Sequence, residues 1–260
     1  MSDTREHPGF FERILPGEAD RPTLVYLHGL GESGLCFETL MHDPALAGWP
    51  QRALDMRGYG ASQPAAAPLT LVEHARHLAP VMQRQRTVLI GHSMGGVVAT
   101  YLAPLLGGNL AGFINIEGNI SATDCTYSAR IAYEDRATFV AEGFGRLCDE
   151  VSADGENDAA LALYAQSLRR AEPAQLHLNA TELVAASNAE TLAALMGALS
   201  VETIYLLGSP RGTGPRSREL LVKAGVSWLA IPSAGHWPFI DQTALCARTI
   251  ADFLSASFLG

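Results

Sequence analysis

Residues 91–95 of the sequence read Gly-His-Ser-Met-Gly, and a further glycine, Gly96, follows them. This G-x-S-x-G pattern places the hydroxyl of Ser93 between small residues, as a sharp turn between a strand and a helix requires. A serine held on such a turn is strained and accessible, and it can act as a nucleophile. Because so short a motif also arises by chance, the elements that flank it decide its meaning.

The flanking elements are those that a nucleophile turn needs. Residues 87–90 form a short apolar run with β-branched members, which predicts a buried strand. The helical pattern of residues 94–106 begins directly after Ser93. This context favours a nucleophilic serine over a glycine-rich turn that only packs a helix on a sheet.

The spacing of Gly91 and Gly96 also matches a phosphate-binding loop. Such a loop requires a lysine and then a serine or threonine directly after the second glycine. Val97 and Val98 occupy those two positions. A nucleotide site at this turn is therefore disfavoured.

The rest of the sequence alternates short β-rich runs with longer helical patterns, which is typical of a mostly parallel sheet flanked by helices. The predicted strands are residues 24–27, 53–54, 87–90, 112–116, 203–207 and 227–231. The predicted helices outside the longest strand-free stretch are residues 35–47, 69–82, 94–106, 216–224 and 241–256. The sequence therefore predicts an α/β fold.

One stretch interrupts this alternation. Between residues 120 and 200 the sequence shows no strand pattern, and helices are predicted at 133–151, 157–171 and 174–186, with Pro173 as a break. A connection of this length is too long for an ordinary loop. We therefore expect an all-helical cap at 120–200, inserted before the penultimate strand of a core formed by 1–119 and 201–260.

Four motifs along the chain resemble the α/β-hydrolase fold superfamily. They are His28-Gly29 after an early strand, residues 55–60 after the next, residues 91–96 at the turn, and Gly235-His236 near the C-terminus. The resemblance covers most of the chain. It implies the α/β-hydrolase fold with a serine nucleophile, a histidine base, an acid that orients the histidine, and an oxyanion hole of backbone N–H groups.

The resemblance assigns most of these roles to residues of this sequence. Ser93 is the expected nucleophile, and His236 is the expected general base, because imidazole can accept a proton and return it near neutral pH. The N–H group of Met94, at a helix N-terminus, and that of Leu30 are expected to form the oxyanion hole, with Gly31 as the alternative to Leu30.

The acid is where the sequence departs from the usual family pattern. Relatives commonly carry it after the strand that follows the cap, yet residues 208–218 contain no carboxylate. Glu117, at the end of the strand before the cap, is the expected substitute, since some relatives carry their acid there. Asp124 and Asp241 remain open as alternatives, and a salt bridge that anchors the cap is the structural alternative for Glu117.

Other residues have competing interpretations. His28 is expected to hold its loop by hydrogen bonds rather than to transfer protons. His74 and His77 lie one helical turn apart, and without a third ligand nearby they predict a solvated helix face rather than a metal site. Trp237 and Phe239 are expected either to line an acyl pocket or to pack in the core.

Composition excludes several partner classes. The 260 residues carry a net charge of −9, which disfavours nucleic acids and anionic membranes. The four cysteines are scattered and suggest neither a zinc site nor a disulfide framework. The first twenty residues contain no apolar run, so cytoplasmic residence is expected. Three arginines, Arg211, Arg216 and Arg218, form a local basic loop that is either solvated or contacts an anionic group.

Together these features predict a carboxylesterase-type serine hydrolase that needs no cofactor or metal. It would cleave a carboxylic ester, thioester or lactone through an acyl-enzyme intermediate on a Ser-His-Glu triad, with a small acyl compound as substrate. A serine at position 93 disfavours epoxide hydrolases and haloalkane dehalogenases, which need an aspartate there. Acyl transfer, carbon–carbon bond hydrolysis and a non-catalytic small-molecule receptor remain open.

Overall fold

Eight strands form one sheet in the computed structural model, which describes residues 3–7 and 9–259. In chain order the strands are β1 (Asp3–His7), β2 (Phe10–Leu15), β3 (Thr23–Leu27), β4 (Gln51–Asp55), β5 (Thr87–His92), β6 (Leu110–Ile116), β7 (Thr203–Pro210) and β8 (Ser227–Ala234). Their order in the sheet is β1-β2-β4-β3-β5-β6-β7-β8. β2 pairs antiparallel with β1 and β4, and the other pairs are parallel. The predicted mostly parallel sheet is confirmed.

Helices cover both faces of this sheet. The helices are numbered in chain order, and α4 to α9 lie between β6 and β7. The others are α1 (Glu38–Met41), α2 (Leu71–Met82), α3 (Met94–Leu106), α10 (Pro215–Lys223), α11 (Pro238–Asp241) and α12 (Thr243–Phe258). Along β3, Val25 and Leu27 pack on the α2 and α3 side, whereas Leu24 and Tyr26 pack on the α1 and α12 side. Burial on both faces explains why the central strands read as continuous apolar runs.

The sequence gives little sign of β1 and β2, and neither strand was predicted. The reason is visible in β2, where two of the six residues are charged yet buried. Glu12 accepts a hydrogen bond from Arg52 at 2.6 Å, and Arg13 donates to Asp55 at 2.8 Å. In β2, ion pairs with the antiparallel neighbour β4 thus stand where a strand usually shows alternating apolar residues, and that alternation is the pattern by which a strand is predicted.

Between β6 and β7 the described backbone contains helices and no strand. The helices are α4 (Tyr127–Ala132), α5 (Arg136–Thr138), α6 (Phe144–Asp154), α7 (Ala159–Leu168), α8 (Pro173–Asn188) and α9 (Leu192–Gly197), with a π-helical turn (Phe139–Gly143) joining α5 to α6. We refer to residues 120–200 as the inserted segment. No described helix is long and apolar enough to cross a membrane.

Several helix boundaries differ from the prediction. The single helix predicted at 35–47 is wrong: Asp43 caps a separate 3₁₀ turn at Pro44–Leu46, which interrupts it after α1. The helix predicted at 133–151 instead begins at Arg136, and α4 precedes it. Pro173 occupies the first position of α8, where its missing N–H group costs nothing, so it starts that helix rather than only separating two.

The inserted segment is anchored to the core by buried amide side chains of α8. Gln175 exchanges two hydrogen bonds with the backbone of Leu69, at 2.7 and 2.6 Å, and Asn179 donates to the Leu69 carbonyl at 2.8 Å. The Tyr59 hydroxyl donates to Asn179 Oδ1 at 2.8 Å. Since these groups are buried and paired, they fix where α8 lies relative to the loop before α2.

Candidate active site

Ser93 lies on a strained turn between β5 and α3. Its φ of 51° and ψ of −122° are a conformation that non-glycine residues rarely adopt. The flanking glycines are required by close packing: a Cβ on Gly95 would lie 2.1 Å from the Leu27 carbonyl oxygen, and one on Gly91 would lie 2.6 Å from the Gly95 carbonyl oxygen. The turn thus holds the hydroxyl of Ser93 at the end of the parallel strands, facing a cavity.

Glu117 follows β6 directly and faces the imidazole of His236. Its Oε1 accepts hydrogen bonds from the N–H groups of Gly208 and Thr213, at 2.7 and 3.0 Å. Its Oε2 lies 3.3 Å from His236 Nδ1. The end of β7 and the loop after it therefore each contribute one N–H donor to the carboxylate of Glu117.

The environment of His236 favours its protonated form. Burial alone would lower the pKa of His236, but the hydrogen bond and charge of Glu117 oppose it. The charges of Glu32 and Asp124 act in the same direction, and the pKa of His236 is raised above its ordinary value. The imidazole nevertheless remains accessible, with 35% of its side chain exposed.

A cavity of about 330 Å³ brings these residues together. Ser93, Glu117 and His236 all line it. No hydrogen bond joins the Ser93 hydroxyl to the imidazole within residues 9–259, and such contacts are often longer in ligand-free enzymes than in complexes. The remaining lining comes from the loop after β3, the inserted segment, and the loops after β6, β7 and β8: Gly29, Leu30, Glu32, Asn119, Thr123, Asp124, Thr126, Tyr127, Ser128, Tyr164, Leu183, Arg211, Gly212, Thr213, Gly214 and Trp237.

The two predicted oxyanion donors lie beside this cavity. Leu30 lines it, and Met94 follows Ser93 as the first residue of α3. Neither backbone N–H group has an acceptor in the described part of the chain, so both are free to bind a ligand oxygen. Gly31, the alternative, has a positive φ of 75°, and a Cβ there would lie 2.8 Å from Leu168.

The alternative acids are directed elsewhere. Asp124 accepts from the Ser217 hydroxyl at 2.7 Å and from two backbone N–H groups, and burial raises its pKa. Asp241 accepts from the Gly235 N–H group at 2.7 Å. Within residues 9–259 neither carboxylate forms a hydrogen bond with His236, so Glu117 is the acid that contacts it.

The aromatic candidates take different positions. Trp237 lines the cavity, and its ring packs against that of Tyr164 at a centroid distance of 5.7 Å. Phe239 instead packs in the core against Phe37, with centroids 4.9 Å apart. Of the two, Trp237 is therefore the one placed to contact a ligand.

The prediction of a solvated face at His74 and His77 is half right. His77 is exposed, but His74 is buried at the base of the inserted segment, with Nε2 at 3.2 Å from Asn179 Oδ1. The described residues contain no group of three or more acidic, cysteine or histidine side chains arranged to hold a metal ion.

His28 holds its loop by hydrogen bonds, as expected. Its Nδ1 lies 2.8 Å from the Gly29 carbonyl, and its Nε2 accepts from the Met56 N–H group at 3.0 Å. Because burial lowers the pKa of His28, the ring is neutral and can accept that bond.

Sequence reasoning missed the role of Glu32. The sequence pattern does not single it out, yet it is almost fully buried and lines the cavity. Its Oε2 lies 2.9 Å from Nδ1 of His92, the residue before Ser93. Its position next to the His28-Gly29 motif was the signal, but a spacing in sequence does not reveal a partner 60 residues away.

Comparison with known proteins agrees with this architecture. Residues 24–249 match the sequence profile of the Alpha/beta hydrolase family. A 2-succinyl-6-hydroxy-2,4-cyclohexadiene-1-carboxylate synthase of Serratia proteamaculans (strain 568) is 27% identical over 254 residues, covering 92% of this chain and 95% of that protein.

Solved structures share the fold at low sequence identity. A thermophilic esterase from Thermogutta terrifontis superimposes with a TM-score of 0.75 at 22% identity, over 98% of this chain and 97% of that one. An enol-lactonase from Burkholderia xenovorans LB400 gives a TM-score of 0.76 at 18% identity, over 97% and 100% of the two chains.

Proposed function

The chain belongs to the alpha/beta hydrolase family, and from that premise we propose that it is a serine hydrolase cleaving carboxylic esters, thioesters or lactones through an acyl-enzyme intermediate. One observation carries the proposal. The strained turn directs the Ser93 hydroxyl into the same cavity as the hydrogen-bonded pair of His236 and Glu117.

The reaction begins when Ser93 Oγ attacks the acyl carbon. His236 Nε2 takes the hydroxyl proton, while Glu117 holds Nδ1–H and stabilises the imidazolium that forms. The N–H groups of Met94 and Leu30 bind the oxygen that gains negative charge, and the N-terminus of α3 adds to this stabilisation. The imidazolium then protonates the leaving alcohol or thiol, and water, deprotonated by the same imidazole, releases the acid.

The cavity favours small, uncharged acyl groups. Its volume of about 330 Å³ lies at the lower end of the range for ligand sites. Three carboxylates line it, those of Glu32, Glu117 and Asp124, against a single arginine, Arg211. Two of these carboxylates face imidazoles, Glu32 that of His92 and Glu117 that of His236, so Arg211 is the one permanent cation that the described lining offers to a negatively charged substrate.

The inserted segment completes the substrate site in this proposal. Tyr127, Tyr164 and Leu183 all come from it and line the same cavity as Ser93. We therefore propose that residues 120–200 form a cap over a core of 1–119 and 201–260.

The activity named for the Serratia relative is a second candidate, because the match covers 95% of that protein. Its name describes a product with a succinyl and a carboxylate group, so such a ligand carries more than one negative charge. The cavity lining of this chain, as far as the structure describes it, offers only Arg211 as a permanent cation. Ester or lactone hydrolysis is therefore the first candidate.

Labelling with a fluorophosphonate, followed by a substrate panel, tests the proposal. We expect the wild-type protein to be labelled, Ser93→Ala to be unlabelled, and turnover of aryl esters to be highest for short acyl chains. Loss of turnover in Ser93→Ala should reach several orders of magnitude, since triad members act as a unit. A folded wild-type protein that resists labelling and turns over no ester, thioester or lactone would instead be a receptor or an enzyme of another class.

A further inference from the structure

Glu32 lies beside the proposed catalytic residues, although it belongs to neither the triad nor the oxyanion hole. Only 3% of its side chain is exposed. Its Oε2 accepts from the Gly29 N–H group at 2.6 Å and contacts His92 Nδ1 at 2.9 Å. Its Oε1 accepts from Trp237 Nε1, the residue after the proposed base. One buried carboxylate thus connects three separate loops of the site.

His92 extends this connection to the backbone of His236. Its Nε2 lies 2.9 Å from the His236 carbonyl oxygen, and its ring is 4.8 Å from the His236 ring. A carbonyl can only accept, and so can an ionised carboxylate. Both contacts of His92 are therefore hydrogen bonds only when both ring nitrogens carry protons, which makes the ring an imidazolium.

The carboxylate of Glu32 is ionised in this environment. Burial would raise its pKa, but the charge and hydrogen bond of His92 and the donors Trp237 and Gly29 outweigh burial and hold the pKa of Glu32 at about 2. The Cys36 thiol also points at Oε2, at 3.6 Å. The titratable groups that surround the His92 ring are thus Glu32, His236 and, through Glu32, Cys36.

We propose that Glu32 is a positioning residue, which holds the backbone of His236 through a doubly protonated His92 and holds the loop of Leu30 through the Gly29 N–H group, both around Ser93. This inference rests on the proposed function, since it concerns the same site. A bond to the backbone of His236 leaves its ring free for proton transfer. The bond to Gly29 fixes the start of the loop after β3, which contains Leu30. The bond to Trp237 fixes one wall of the cavity.

The first test reads the protonation of His92 directly. In ¹⁵N-labelled wild-type protein at pH 7, with signals assigned by comparison with His92→Gln, we expect both ring nitrogens of His92 to be protonated. In Glu32→Gln the neutral amide has no charge to stabilise an imidazolium, so we expect a singly protonated ring. A singly protonated His92 ring in the wild-type protein would overturn the proposal even if Glu32→Gln does not fold.

The second test measures turnover against a matched control. We expect Glu32→Gln to lower kcat about 10- to 100-fold with a small change in KM, because a displacement of about 1 Å at a catalytic group has effects of this size. Glu12→Gln removes another buried carboxylate with an arginine partner, at a residue that does not line the cavity, and should leave kcat unchanged. In Glu32→Gln/His92→Gln the fold-loss of kcat should be smaller than the product of the two single losses, since the two changes share the connection from Glu32 through His92 to His236.

The outcomes separate this inference from the proposed function. A wild-type kcat in folded Glu32→Gln, or an equal loss in Glu12→Gln, contradicts a positioning role while leaving the hydrolase assignment intact. A wild-type protein without turnover contradicts the hydrolase assignment and with it the positioning role, whereas the ring-nitrogen signals then still report whether the ion pair exists.

Discussion

Glu117 and the loop after β7 depend on each other. The carboxylate lies at the end of β6, and two N–H groups, of Gly208 and Thr213, satisfy one of its oxygens. A Cβ on Gly212 would lie 2.3 Å from that same oxygen, so the loop can close around the acid only with glycine there. The end of β7 and the loop after it contain no carboxylate and instead supply donors to the carboxylate of Glu117 on the neighbouring strand.

This arrangement makes the pH profile of Glu117→Gln informative. Because Glu117 raises the pKa of His236, the neutral base of the wild-type protein is available only above that raised value. Removing the charge lowers the pKa of His236, so the acid limb of kcat/KM should shift to lower pH. The plateau should fall by about 10⁴, the loss seen when a triad acid becomes an amide.

Hydrolysis rates between pH 5 and 9 provide the measurement. Glu219→Gln, an exposed glutamate on α10, is the control and should keep the wild-type profile. An unshifted acid limb together with near-wild-type rates in Glu117→Gln would move the acid to another carboxylate.

What the sequence could predict differs between these residues. Ser93 and His236 lie within short motifs that the sequence itself displays, so a local pattern is enough to propose them. Glu117 was inferred from the absence of a carboxylate at 208–218, but its donors come from residues distant in sequence. The ion pair of Glu32 and His92 had no local signal, because a carboxylate and an imidazole 60 residues apart meet only through the pairing of β3 with β5.

At the scale of elements, strands with an apolar run have a local sequence pattern, whereas strands without one depend on partners distant in sequence. The central strands are buried on both faces and were predicted, although most of them continue beyond the predicted limits. β1 and β2 pair antiparallel at the sheet edge and were missed, since β2 buries its charged residues by pairing them. The helices of the inserted segment were predicted as a class, but their ends depend on tertiary contacts such as those of Gln175 with the backbone of Leu69.

The crossing of α3 over the end of β3 gives a prediction at this scale. A Cβ on Gly95 would lie 2.1 Å from the carbonyl oxygen of Leu27, and both atoms belong to rigid elements. We expect Gly95→Ala to lower the free energy of unfolding by about 2 kcal/mol or more and to displace the Ser93 turn, with loss of turnover. Urea unfolding measures the first effect and ester hydrolysis the second.

Gly108 provides the matched control, because a Cβ at that position meets no atom within 4 Å. Gly108→Ala should change the free energy of unfolding by less than about 0.5 kcal/mol. If Gly95→Ala is equally mild, α3 is free to move away from β3 and the close contact does not set the position of the turn.

At the scale of the whole molecule, the junction between core and inserted segment contains a buried histidine. His74 lies on α2 and contacts Asn179 on α8, and its Nδ1 has no hydrogen-bond partner among the described residues. Burial lowers the pKa of His74 to about 4. The ring is therefore neutral in the folded protein at neutral pH and titrates normally when the chain unfolds.

The sign of the resulting pH dependence follows from proton uptake. Between pH 6.5 and 4 the unfolded chain binds a proton at His74 that the folded chain does not, so the free energy of unfolding falls as the pH is lowered. From pH 7.5 to pH 5.0 this contribution amounts to about 2 kcal/mol. Glu32 adds to acid sensitivity only at lower pH, because its carboxylate titrates normally in the unfolded chain and near a pKa of about 2 in the folded one.

Urea unfolding at pH 7.5 and pH 5.0 isolates the contribution of His74. His74→Gln keeps a donor for Asn179 but cannot take up a proton, so the loss on acidification should be about 2 kcal/mol smaller than in the wild-type protein. His77→Gln, one turn along the same helix at an exposed position, should retain the full loss. Equal pH dependence in His74→Gln and the wild-type protein would mean that His74 titrates alike in the folded and unfolded chain. Burial between α2 and α8 would then not lower the pKa of His74.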